Sequence, residues 1–151
     1  MARAYLIRNK PAYPALYTVE KSVGNGCANA VDDVYLVQYL LRVIMESGPL
    51  GPGYCPPGEA PISIDGNCGK QTIRYIRYFQ EEGNRRNPEA QRVVDGKLDP
   101  IVRGNMRGVH SGLPLSMVFL NNVAHDRRSK IWLDLTRDPL FPAAAASSIY
   151  L

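Results

Sequence analysis

The chain has 151 residues, 45% of them apolar, which is enough to enclose a core and excludes disorder of the chain as a whole. Eighteen basic residues against fourteen acidic leave a formal charge of +4, too mild a bias to mark a nucleic-acid partner. No stretch approaches the ~20 apolar residues of a membrane helix, and the first residues, Met1 to Arg8, carry no apolar signal core.

At the N-terminus, Ala4–Arg8 and Leu16–Val23 are β-prone and flank a Pro-rich turn at Pro11–Pro14. Asp32–Ser47 is predicted to be a helix. Val34, Val37, Leu41 and Ile44 recur at helical spacing beside Leu40, so one apolar stripe faces a core. Asn29 or Asp32 is suited to cap its start, and Gly48-Pro49 ends it.

Gly48 to Pro61 is dense in Gly and Pro and reads as a loop. After the extended Ile62-Ser63-Ile64, the turn Asp65-Gly66-Asn67-Cys68-Gly69 leads into a second predicted helix, Lys70–Glu82. Its spacing sets Ile73, Ile76 and Gln80 on one face, with Tyr75 and Phe79 on the flank. A second extended-then-turn pattern, Arg92 to Pro100, precedes a third predicted helix that starts near Pro100 and carries Ile101, Val102 and Met106. A further apolar helix is expected over Leu115–Ala124. Ile131–Leu135 alternates like a strand that could join the N-terminal pieces in a sheet, and Phe141–Leu151 is an apolar tail suited to docking.

The two turns are near-repeats. In Asp65-Gly66 and Asp95-Gly96 the glycine reverses the chain, and the aspartate can accept from backbone N–H groups of the turn and the following helix. The ordered series Asp33-Val34-x-x-Val37-Gln38-x-Leu40-Leu41, then Ile64-Asp65-Gly66-x-x-Gly69-x-x-Thr72-x-x-x-Ile76-x-x-Phe79-Gln80, then Val94-Asp95-Gly96, resembles the three-helix peptidoglycan-binding domain. That domain accompanies bacterial cell-wall hydrolases, phage endolysins and other envelope proteins. The resemblance spans Val23 to Met106. It departs from the family in the long loop at 48–61, and in Asp99 and Val102, which stand where the family favours Gly and Thr.

The expected architecture is mainly α: a three-helix peptidoglycan-binding-like core over residues 23–106. A β-prone extension (1–22) and a C-terminal extension (107–151) with a helix, a short strand and the apolar tail complete the chain. The structural residues are the turn and cap positions Asp65, Gly66, Gly69, Thr72, Asp95 and Gly96, with Gln38 and Gln80 as hydrogen-bonding links between helices. The candidate ligand-binding residues are Arg74, Tyr75, Arg77, Tyr78 and Asn67. Arginine suits carboxylates and tyrosine offers a platform for sugar rings, although the same helix face reads slightly better as an ordinary solvated surface.

No catalytic residues, cofactor or metal site are expected. His110 and His125 have no zinc spacing, and the adjacent His125-Asp126 pair lacks a nucleophile motif. Cys27, Cys55 and Cys68 are too few for a disulfide scaffold and are expected as thiols, with Cys55 and Cys68 the pair able to bridge under oxidising conditions. The resemblance implies non-catalytic binding of bacterial cell wall. The alternative is a structural adaptor making protein–protein contacts in a phage tail or type VI secretion apparatus, since fold does not fix function. Either role fits synthesis in the cytoplasm without a signal peptide, with delivery to the periplasm or wall by lysis or an injection machine.

Overall fold

The computed structural model describes residues 2–6, 15–102, 106–108 and 112–148. It is mainly helical. Strands β1 (Arg3–Leu6) and β2 (Ala15–Thr18) pair antiparallel, with Ala4 opposite Tyr17. Two-residue strands β3 (Val23–Gly24) and β4 (Lys97–Leu98) form a second antiparallel pair. The helices are α1 (Val31–Ile44), α2 (Lys70–Arg86) and α3 (Ser116–Arg128), followed by 3-10 turns at Ser129–Ile131, Leu135–Arg137 and Ala143–Ser148. Ile7, Arg8 and the Pro11–Pro14 turn, assigned from sequence, lie outside the described residues.

Helix α1 is the axis of the molecule. The expected single stripe is too narrow a description, because Val34, Leu36, Val37, Tyr39, Leu40, Leu41, Val43 and Ile44 are all buried. A helix apolar on most of its circumference must be enclosed on several sides. Helices α2 and α3, the β3–β4 pair and the Ala143–Ser148 turn surround it. Neither Asn29 nor Asp32 caps it. Ala30 is the cap residue and contributes no side-chain bond. Asn29 instead turns back, at φ 52°, to exchange hydrogen bonds with the Gly24 backbone. Asp33, fully buried, accepts from the Glu20 and Lys21 N–H groups at 2.9 and 3.0 Å and fixes the exit of β2.

The buried face of α2 is Thr72, Tyr75, Ile76, Phe79, Gln80 and Gly83, a clean i, i+3, i+4, i+7 pattern. The sequence reading centred that face slightly too late, on Ile73, Ile76 and Gln80 rather than between these and Thr72, Tyr75 and Phe79. Ile73 is only half-buried, whereas Tyr75 and Phe79 are enclosed.

The third helix of the core is not where it was expected. Among the described residues no helix starts near Pro100: Ile101 is buried with its N–H donated to Thr18 Oγ1 at 2.8 Å, and Val102 is exposed. That segment is tied to β2 instead, as suits two β-branched residues in succession. The core helix is α3, which overlaps the helix expected over Leu115–Ala124 and runs one turn further at its end, and it packs chiefly along α1.

Ile131–Leu135 is not a strand. It is built from 3-10 turns that bury Trp132 and Leu135. Trp132 nevertheless reaches the N-terminal hairpin through its side chain, donating from Nε1 to Ala15 O at 2.8 Å. The C-terminal segment docks on its own chain, with Phe141 edge-on to Tyr39 at 4.9 Å and Ala145 buried.

The 48–61 loop has no regular structure, yet it is pinned. Gly48 and Gly51 exchange backbone hydrogen bonds, Tyr54 N–H donates to Ile44 O at 2.8 Å, and Arg86 Nη1 donates to Pro52 O at 2.8 Å. Among the described residues all three cysteines are free thiols. Cys55 lies beside the Tyr75 hydroxyl at 3.6 Å, while burial pushes up the Cys68 thiol in a setting next to Gly24 and Cys27, so Cys55 and Cys68 occupy different surroundings.

Two carboxylates are set to lose their partners in acid. Hydrogen bonds from Arg85, against the opposing pull of burial and with help from Arg86, bring Glu82 down from an ordinary 4.5 to about 2. Burial alone would raise Asp138, but bonds from Arg128 Nε (2.5 Å), the Leu140 N–H (3.0 Å) and the Tyr39 hydroxyl (2.9 Å) hold it below the usual range. A depressed carboxylate contributes stability that is complete above its unfolded value and is lost as pH falls toward its folded one. Denaturant melts should therefore show stability declining below about pH 4.5 toward 2, with a shallower acid limb in Glu82→Gln. Identical acid limbs would remove Glu82 from the account.

Candidate functional site

Each of the two Asp-Gly turns is held by one buried glutamine from the preceding helix. Gln38, 1% exposed on α1, accepts with Oε1 from the N–H groups of Asp65 (3.0 Å) and Gly66 (2.9 Å). Its Nε2 donates to Asp65 Oδ1 (3.0 Å), Asn67 O (2.9 Å) and Thr72 Oγ1 (3.1 Å). Gln80 on α2 repeats the pattern, accepting from Asp95 N–H (3.1 Å) and Gly96 N–H (2.9 Å). It donates to Asp95 Oδ1 (3.2 Å), Lys97 O (2.8 Å) and Ser116 Oγ (3.3 Å).

Within each turn the aspartate Oδ1 also accepts from the N–H two residues on, Asn67 at 2.9 Å and Lys97 at 3.0 Å. Gly66 and Gly96 sit at φ 77° and 71°, a region that a side chain would strain. A carboxamide presents a donor and an acceptor side by side at neutral pH, where an ionised carboxylate only accepts, which is why glutamine and not glutamate stands here.

The second unit shows what the sequence reading missed. The hydroxyl that answers Thr72 is not near Val102 but at Ser116, the first residue of α3. In sequence, residues 99–115 form an excursion inserted between the second turn and α3. The signal was present as Ser116 heading the apolar run, but the direct spacing of the first unit drew the helix to Pro100. Gly69 precedes α2 as its cap position without a side-chain cap, and Thr72 is buried in the clamp. Asp65, Gly66, Asp95 and Gly96 shape the two turns, Thr72 accepts from Gln38, and Gly69 stands at the cap position with a negative φ.

The proposed ligand face is only partly assembled. Tyr75 is fully buried and donates its hydroxyl to Ala60 O at 2.6 Å, so it offers no platform to a ligand. Its position on the α2 stripe dictates that. Arg74 is exposed but committed, to Glu59 at 3.0 Å and Pro57 O at 3.2 Å. Tyr78 is half-buried against the core, while Arg77 and Asn67 are exposed. Arg77 lies over the second turn, and its guanidinium makes no hydrogen bond or ion pair among the described residues.

Of the adjacent His125-Asp126 pair, Asp126 is paired with Arg127 at 3.0 Å and His125 sits edge-on to Trp132 at 5.3 Å. His110 lies outside the described residues. Among the described residues no helix is long and apolar enough to cross a membrane, and no three of His, Cys, Asp and Glu converge on a metal position.

Around the excursion between turn and α3, Val93, Val94, Val102, Met106 and Leu113 are exposed, and Val93, Pro114 and Leu115 share the lining of a small cleft with Asp95 and Lys97. In comparisons with known proteins, no family model, no curated protein and no solved structure matches the chain.

Proposed function

We propose that this chain is a non-catalytic recognition module of the peptidoglycan-binding type, with bacterial cell wall as its ligand. The observation that carries the reading is the repeated clamp, in which Gln38 and Gln80 each hold an Asp-Gly turn and the hydroxyl that heads the next helix. It joins in space the residues on which the resemblance rests: Gln38, Asp65, Gly66 and Thr72, then Gln80, Asp95 and Gly96.

The contact surface is smaller than the sequence suggested. Arg77, over the second turn, is a cation without a hydrogen bond or ion pair among the described residues and is able to meet a carboxylate. Tyr78 offers the exposed part of its ring, and Asn67 an amide. Retention on purified peptidoglycan sacculi tests the reading. The protein should sediment with sacculi at low salt, where exposed charges act over the longest range. The double change Arg77→Ala and Tyr78→Ala should reduce retention several-fold while circular dichroism stays helical. A wild-type chain that ignores sacculi at low salt defeats it.

One observation favours an adaptor role: the exposed apolar side chains clustered in sequence around the 99–115 excursion, a composition that suits a protein contact. An adaptor predicts a stable protein complex that is lost on Met106→Asp or Leu113→Asp. Removal of the 141–151 tail is a poor test, because Phe141 and Ala145 belong to the chain's own core.

A further inference from the structure

A cavity of about 280 Å³ opens between the 48–54 loop, the end of α2 and α3, away from the clamps. Leu50, Tyr54, Phe119 and Val123 supply its apolar lining, and Arg86, Asn87, Asn122 and Arg127 its polar lining, with no acidic side chain among them.

The walls are held in place. Tyr54 packs edge-on to Phe79 at 5.2 Å and to Phe119 at 6.1 Å, and Arg86 lies over the Tyr54 ring at 4.1 Å. Arg86 itself is fixed by Glu82 Oε1 at 2.9 Å and Pro52 O at 2.8 Å.

Arg127 is the informative group. Its side chain is 4% exposed. Nε donates to Glu46 O at 2.8 Å, and Nη1 to Asp126 Oδ2 at 3.0 Å and Val123 O at 3.3 Å. Nη2 makes no hydrogen bond among the described residues. A Cβ on Gly48 would lie 3.1 Å from the guanidinium carbon, so the loop backbone is pressed against it. The result is an immobilised, largely desolvated cation with one donor edge left over, beside an apolar cavity. The Asn122 amide, exposed, and Asn87 Oδ1 are likewise without partners among the described residues, since Asn87 uses only Nδ2, on Gly83 O at 3.2 Å.

We propose that this cavity binds the free carboxylate end of a peptide whose last residue is aliphatic or aromatic. The carboxylate meets Arg127 Nη2, where a preorganised guanidinium in a partly dry setting gives a strong charge-assisted hydrogen bond. The apolar side chain fills the space beside Tyr54, Phe119 and Val123, and the two asparagines answer the preceding peptide group. The volume is just below the usual range for small-molecule pockets, about 300–1,000 Å³, and so suits one residue and its acyl group. Wall binding is a separate matter, since no clamp residue and no part of the Arg77 surface takes part.

Calorimetric titration of the whole chain with N-acetyl-leucine, N-acetyl-leucinamide and hexanoate tests this. The acid should bind saturably and the amide about tenfold or more weakly, because it lacks the charge that Arg127 meets. Hexanoate, which has the carboxylate without a peptide group, should also fall behind. Asn122→Asp and Leu50→Asp change exposed positions. They should leave the circular dichroism intact while weakening binding of the acid. Equal binding of acid and amide, or no saturable binding of the acid in the millimolar range, overturns the proposal. Unchanged affinity in both variants places binding elsewhere and does the same, and hexanoate equal to the acid overturns the assignment to a peptide.

Discussion

Gln38→Leu should lower the stability of the chain by about 3–5 kcal/mol, more than the loss of one ordinary hydrogen bond explains. Leucine keeps most of the volume but removes the acceptor that answers the Asp65 and Gly66 N–H groups and the donor that answers Asp65, Asn67 and Thr72. Gly66 is buried, and water has little access to its N–H once the amide is gone.

Gln38→Glu has nearly the same shape and keeps the acceptor, but turns the donor into a second acceptor facing a carboxylate oxygen. It should be at least as destabilising near neutral pH and should recover in part when acidified. Gln80→Leu should cost less, because two of its donor contacts, to Asp95 and Ser116, are longer at 3.2 and 3.3 Å. Urea unfolding of the four proteins measures all of this. A cost below about 1 kcal/mol for Gln38→Leu would mean that the turn holds itself without the clamp.

The second large effect belongs to Trp132. Its ring is 1% exposed, edge-on to Tyr17 at 5.1 Å, and its carbonyl accepts the Tyr17 hydroxyl. With Nε1 on Ala15 O, one residue near the C-terminus fastens β2 by side chain and backbone together. Asn121 does the same from α3, pairing with the N–H and C=O of Tyr17 at 2.7 Å each.

Trp132→Ala should cost about 3–5 kcal/mol, the range for emptying a buried aromatic site. Trp132→Phe retains much of the apolar area and should cost about 1–2 kcal/mol, chiefly the unanswered Ala15 carbonyl and the unfilled part of the site. The comparison separates packing from the hydrogen bond. If the two variants unfold at the same denaturant concentration, the Nε1 bond and not the ring volume dominates. Hydrogen exchange in β2 should rise in both variants, because the Nε1 bond to the Ala15 carbonyl is lost in each.

How far the chain could be read in advance follows from the range of each interaction. Apolar period and Gly/Pro punctuation located α1, α2 and α3 within a few residues, since those signals are local. The two Asp-Gly turns and the glutamines that serve them were legible for the same reason: a left-handed glycine and a buried carboxamide each restrict sequence strongly. Tyr75 and Ile73 exchanged places because the stripe on α2 is only a fraction of a turn wide. Which edge of that stripe faces inward depends on Phe119 and Tyr54 arriving from elsewhere in the chain.

The places of the two Asp-Gly turns and of α1 and α2 were therefore determined by the sequence itself, through backbone conformation and helical period. What only the tertiary structure decided is where the second unit closes. Ser116 replaces a nearer residue as partner of Gln80 because the 99–115 excursion is tied back by Ile101 to Thr18 and by Ser22 to Asp99, contacts across about 80 residues that no local period encodes. Arg127 likewise gained its donor edge and its enclosure from Glu46 and Gly48, far away in the chain, through packing alone.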